Sequence, residues 1–116
     1  MLHKIFVYGS LKKGFGNHGL LAISNSKFLG SAKTHPIFTM VDFGTFPGCL
    51  INGETAIHGE VYEITDEVLA WLDKLEGHPN FYRRVEISST LGPVWMYVLS
   101  RTDFSITPIV KNGIWE

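Results

Sequence analysis

The sequence predicts an α+β fold, a small, mostly antiparallel, barrel-like β-sheet with one or two flanking helices, and three observations predict it. Short β-branched and aromatic runs separated by Gly, Pro and Asp outnumber helical stretches. The connections between those runs are too short for the crossovers that a parallel sheet needs. Only the segment from Thr65 to Glu76 carries a full set of helix signals. At 116 residues the chain has the length of one typical domain, and a second would be too small to bury its own core, so residues 1–116 read as a single unit.

Lys4 to Tyr8 is β-branched and aromatic and stops at Gly9, as expected of a buried strand feeding a turn. Glycines at 9, 14, 16 and 19 make the next stretch irregular, and backbone amides there can approach a ligand without Cβ obstruction. A short helix is expected around Asn17 to Ile23. Phe28-Leu29, Ile37 to Val41 and Cys49 to Ile51 then follow as strands, and Ala56 to Ile64 continues the pattern with Glu60 inside it. In the helix, Thr65 is placed to cap the N-terminus, Asp66 and Glu67 sit where the dipole favours anions, and Gly77 supplies the left-handed stop. Two late strands, Arg83 to Ser88 and Val94 to Leu99, precede a tail ending Asn112-Gly113-Ile114-Trp115.

Composition narrows the function classes. Hydrophobic residues at 45% against 18% charged suit a packed core and are too apolar for a disordered chain. Lys plus Arg at 10 against Asp plus Glu at 11 leaves no excess positive charge for neutralising phosphates, which argues against nucleic acid. The single cysteine, Cys49, forms no internal disulfide and suits a reducing compartment, so cytoplasm is the expected location. The apolar run near Met1 is far short of a signal segment or of the roughly 20 residues that span a bilayer, so no membrane partner is expected. Oligomeric state has no signal here.

One carboxylate is oddly placed. Val68, Leu69, Leu72 and Leu75 share a helix face, and Glu76, four residues after Leu72 and seven after Leu69, projects onto the same stripe. It also falls in the last turn, where the negative end of the dipole disfavours an anion. Desolvation and dipole both raise its pKa, the condition for a general acid/base near neutral pH. The bland alternative is a helix end that frays and turns Glu76 to solvent, and position alone does not decide between the two.

The surrounding words decide it. Val7-Tyr8-Gly9-Ser10-Leu11-Lys12-Lys13-Gly14 with Asn17-His18, then His58-Gly59-Glu60-Val61-Tyr62, Leu72-Asp73-x-x-Glu76, Tyr82-x-Arg84 and the terminal Gly113-Ile114-Trp115 together resemble the γ-glutamylcyclotransferase superfamily. The branch most similar is that of the γ-glutamylamine cyclotransferases and the plant avirulence-induced-gene-like (AIG2-like) proteins, and the resemblance covers nearly the whole chain. It implies a closed or nearly closed antiparallel barrel and a cofactor-independent, metal-free enzyme that acts on a small γ-glutamyl substrate and releases 5-oxoproline. It also implies that Tyr8, Gly9, Ser10 and Leu11 hold the γ-glutamyl group through backbone N–H donors, that Glu76 is catalytic and that Tyr82 lines the pocket. Ser10 stands where many relatives have Thr, a change that keeps the backbone donors.

The expected chemistry is intramolecular. In a γ-glutamyl amide the α-amine closes a five-membered lactam on the γ-carbonyl, and well-oriented attack of this kind reaches effective molarities of about 10⁵ M or more. Glu76 would serve as base and then acid. From another class, the competing expectation is a non-catalytic module that holds a small ligand in the same barrel.

Other motifs have plainer readings. Gly14-Phe15-Gly16-Asn17-His18-Gly19 spells G-x-G-x-x-G, yet it does not directly follow a strand and lacks a full crossover helix. Phe15 stands where a P-loop needs lysine. Five histidines without paired spacing and one cysteine argue against zinc. His58 reads as hydrogen-bonded structure and His78 as solvent-facing, and Glu60 is expected to form an ion pair with an arginine such as Arg83 or Arg84.

Overall fold

The structure is a computed structural model that describes residues 1–9, 11–12, 26–101 and 107–116. In chain order its elements are β1 (Leu2–Val7), β2 (Lys27–Lys33), β3 (Phe38–Asp42), β4 (Pro47–Thr55), β5 (His58–Thr65), α1 (Asp66–Leu75), β6 (Tyr82–Ser89) and β7 (Gly92–Leu99). The fold is therefore α+β, mostly strand with one helix among the described residues. The helix expected around Asn17 to Ile23 lies outside them.

Five strands form one sheet in the order β2-β5-β1-β7-β6, and β3 and β4 form a separate two-stranded sheet. Among the described residues the larger sheet does not close into the expected barrel. Its two edges approach each other at the bridge between Thr34 and Ser89. Next to that bridge the Thr90 N–H donates to Lys33 O and the Lys33 N–H to Thr90 Oγ1, each at 3.1 Å. The pairing is also not wholly antiparallel. β1 runs parallel to β7, with Ile5 opposite Trp95 and Phe6 opposite Met96. Most of the chain lies between these two strands, so the short connections between consecutive strands never restricted them.

β1 is apolar on both sides because both faces of the sheet are covered. Ile5 and Val7 join one core cluster with Leu69 and Leu72 of α1, whereas Phe6 and Tyr8 join another with Phe38, Met40 and Cys49. β4 comes very close to β7 at Gly48, where an added Cβ would lie 2.6 Å from Leu99 Cδ1. The absence of a side chain there seats the β3–β4 turn near the end of α1. The tail follows β3, with the Val110 N–H donating to Met40 O at 2.9 Å. It ends where Lys12 Nζ donates to Trp115 O at 2.7 Å, beneath the turn that leaves β1. No helix among the described residues is long and apolar enough to cross a membrane.

Candidate active site

The site begins with the way α1 stops. Thr65 Oγ1 accepts the Val68 N–H at 3.2 Å and caps the N-terminus. At the other end Gly77 takes φ +67. Its N–H donates to Lys74 O at 3.2 Å while that of His78 donates to Asp73 O at 2.9 Å, the two reverse bonds of a Schellman stop. Glu76 remains in helical register, its N–H bonded to Leu72 O at 2.9 Å. Its side chain therefore stays on the Leu69–Leu72 face and enters a cavity of ≈ 550 Å³. There it is half-buried, and desolvation pushes its pKa up to about 7.

Four other segments complete the cavity. The end of β1 contributes Phe6 and Val7, followed by Tyr8, Gly9 and Leu11; the β3–β4 turn contributes Thr45, Phe46 and Pro47; Phe81 comes from the loop before β6, Tyr82 from its first residue, and Tyr97 from β7. The predicted residues Tyr8, Gly9, Leu11, Glu76 and Tyr82 thus line one concavity, while Ser10 lies outside the described residues. Gly9 sits tightly against the opposite wall, since a Cβ there would be 2.9 Å from both Cδ and Cγ of Pro47.

Three buried phenols surround the carboxyl group, and each directs its proton into the protein. Tyr8 donates to Tyr97 O, Tyr82 to Pro47 O and Tyr97 to Asp73 Oδ1, each at 2.6 Å. Burial pushes all three pKa values up, and the neighbouring Glu76 charge pushes the same way. Cys49, also buried, has its thiol driven up by desolvation and is therefore no thiolate nucleophile. Glu76 is the lining group whose proton is exchangeable near neutral pH.

The sequence reading assigned no role to Tyr97 or Asp73. Asp73 accepts a bidentate pair from Arg84, Nε to Oδ1 at 2.9 Å and Nη2 to Oδ2 at 3.0 Å, together with the Tyr97 hydroxyl. Arg84 also stacks over Trp95, 4.4 Å from the ring centroid. The available signal was the pair of words Leu72-Asp73 and Tyr82-x-Arg84, acid and base without a stated connection. Of the two arginines considered for Glu60, Arg84 pairs with Asp73 instead, and Glu60 accepts the Tyr62 hydroxyl at 3.0 Å. His78 is not simply solvent-facing, because its Nδ1 accepts the Arg84 backbone N–H at 3.0 Å. The His58 side chain is exposed, and its backbone N–H donates to Gly113 O. Among the described residues no group of three or more His, Cys, Asp or Glu side chains is arranged to hold a metal ion.

A carboxyl group with a raised pKa in an apolar-walled cleft, faced by a glycine turn, has the make-up of a small-molecule site. Residues 5–116 match the family described as γ-glutamyl cyclotransferase, AIG2-like, and the chain belongs to that family. A Vibrio cholerae protein provisionally named γ-glutamylcyclotransferase is 38% identical over 115 residues, covering 99% of this chain and 96% of that protein. The γ-glutamylcyclotransferase family protein YtfP of Escherichia coli K12 is 34% identical over 112 residues, covering 97% and 95% respectively. The crystal structure of an AIG2-like protein from Mus musculus superposes with a TM-score of 0.83 at 23% identity, covering 96% of this chain and 87% of that one, which is a likeness of fold.

Proposed function

We propose that the protein releases 5-oxoproline and a free amine from a γ-glutamyl amine or amide, with Glu76 as general base and then general acid. The observation that carries this reading is a carboxyl group with a pKa of about 7 in the same cavity as the Gly9 turn. The turn's backbone N–H groups suit the substrate α-carboxylate and the oxyanion that develops on the γ-carbonyl. Tyr8 and Tyr82, whose protons already go to carbonyl groups, present oxygen to a ligand as acceptors and suit the α-ammonium.

The proton balance fits one carboxylate. The attacking nitrogen bonds to the γ-carbon and loses two protons in becoming a lactam N–H. The departing nitrogen breaks from that carbon and gains two, leaving as an ammonium ion. Glu76 takes the first proton from the α-ammonium, delivers it to the leaving nitrogen, and is ionised again for the second. No covalent intermediate is required because the nucleophile is tethered to the carbonyl it attacks.

The test is to incubate wild type and Glu76→Gln with a panel of γ-glutamyl amides and measure 5-oxoproline. Turnover by the wild type and its loss in the variant support the reading. Tight binding without turnover by the wild type would replace it with that of a ligand-holding module.

A further inference from the structure

We propose that the outer half of this cavity is a leaving-group subsite for an apolar amine, one carrying an arylalkyl or branched alkyl group. The inference rests on the cyclotransferase reading of the same site and specifies its substrate class.

Size comes first. A γ-glutamyl unit has nine heavy atoms, and at about 30 Å³ per water-sized atom it fills at most about 270 Å³. The cavity holds ≈ 550 Å³, so about half remains for whatever leaves. Phe46 and Phe81 line this part of the cavity, and Phe43 packs against both. Phe43 and Phe46 of the β3–β4 turn lie 5.2 Å apart between ring centroids, and each is 6.1 Å from Phe81, which stands edge-on to Tyr82 at 4.9 Å. These rings come from two loops distant in sequence, and two of them leave the core incompletely covered: Phe46 is 36% exposed and Phe81 41%. Single exposed apolar residues are common, but mutually packed rings at the rim of a cleft form a surface that gains by covering.

Charge narrows the class further. Among the described lining residues, the ionisable groups besides Glu76 and the buried tyrosines reduce to Lys74. A leaving group ending in a second ammonium would meet a like charge there, with Glu76 as its only acidic partner in the lining. An aryl or branched alkyl group meets Phe46, Phe81, Leu75 and Pro47 instead.

The experiment compares three γ-glutamyl amides of alkylamines, the methylamide, the phenethylamide and the 4-aminobutylamide, by 5-oxoproline release. The expected result is a kcat/KM for the phenethylamide at least about tenfold above the methylamide, with the aminobutylamide no better than the methylamide. Phe81→Ala and Phe46→Ala should each lower the phenethyl-to-methyl ratio several-fold, and Phe81→Leu should lower it less. Thermal melts verify that each variant is folded. A ratio near one with robust turnover, preference for the aminobutylamide, or folded Phe variants with an unaltered ratio would overturn the subsite and leave the cyclotransferase reading standing. No 5-oxoproline from any of the three overturns that reading, and the subsite with it.

Discussion

Asp73 and Glu76 lie one turn apart on the same helix end, and their surroundings drive them in opposite directions. Burial pushes the Asp73 carboxyl up, but hydrogen bonds from Arg84 and Tyr97 and the Arg84 charge outweigh it, so its pKa falls below the usual range. Glu76 is more deeply desolvated and lacks such compensation, and its pKa climbs to about 7. The difference separates two uses of a partly buried carboxylate. A bidentate partner turns one into a structural tie, while an apolar wall leaves the other ready to exchange a proton. Asp73 should therefore matter for folding, and Glu76 for turnover.

The largest expected effect is on Glu76. Glu76→Gln is nearly isosteric and should lower kcat by about 10²–10⁴ with no loss of stability, because an amide cannot relay the proton. Near wild-type 5-oxoproline release by the variant would remove the distinction between the two carboxylates altogether.

The next test is pH. Because the folded pKa of about 7 lies above the unfolded value of 4.5, the native state binds the extra proton between them. Stability should therefore fall as pH rises from about 4.5 to about 7, by at most about 3 kcal/mol. Urea unfolding at pH 5 and pH 8 should register that loss in wild type and a smaller one in Glu76→Gln. Asp73 works in the other direction: its depressed pKa contributes stability above its unfolded value that is lost only in more acidic solution, as pH falls through the folded pKa. In kinetics, kcat/KM should rise with pH through an ionisation near 7 that belongs to the free enzyme.

Asp73→Asn should give the mirror image of the Glu76 variant. It strands Arg84, whose side chain is only 19% exposed, and loosens the Tyr97 hydroxyl. A stability loss of about 1–3 kcal/mol is expected by chemical denaturation. Turnover per folded molecule should drop far less than in Glu76→Gln. A greater catalytic loss with unchanged stability would show that the two carboxylates act as one unit. A smaller effect is expected at the facing wall. Gly9→Ala would press a methyl group onto the Pro47 ring, and the displaced turn should raise KM by about tenfold or less with a lesser change in kcat, at a cost of about 1 kcal/mol.

The Glu76 half of this comparison was legible in the sequence and the Asp73 half was not, for a physical reason. The inward direction of Glu76 depends on local periodicity from Leu69 and Leu72, and Thr65 and Gly77 mark both ends of the helix within a dozen residues. The partners of Asp73 depend on tertiary placement: Tyr97 and Arg84 sit opposite each other across β6 and β7, and that ladder must dock against α1 before either touches the carboxylate. The same logic explains the open sheet. Strand runs were readable one at a time, but the parallel pairing of β1 with β7 and the single bridge from Thr34 to Ser89 are properties of assembled edges. Phe43 and Phe46 could likewise be placed on a loop, though nothing local said that they would meet Phe81.

The smallest predicted effect sharpens the comparison by adding a third carboxylate. Glu60 lies on β5 opposite Val7, close to the glycine turn, and could compete with Glu76 for the catalytic role on position alone. Its surroundings differ from those of both helix-end acids: the Tyr62 hydroxyl donates to it at 3.0 Å, and its charge offsets part of the burial that lowers the Lys12 pKa. Glu60→Gln retains an oxygen to accept from Tyr62 and removes the attraction to Lys12. Stability should fall by about 1 kcal/mol or less, and kcat should stay within about threefold of wild type. If Glu60→Gln instead abolished 5-oxoproline release while Glu76→Gln did not, the proton carrier would lie on the sheet, and the raised pKa at the end of α1 would be a consequence of packing alone.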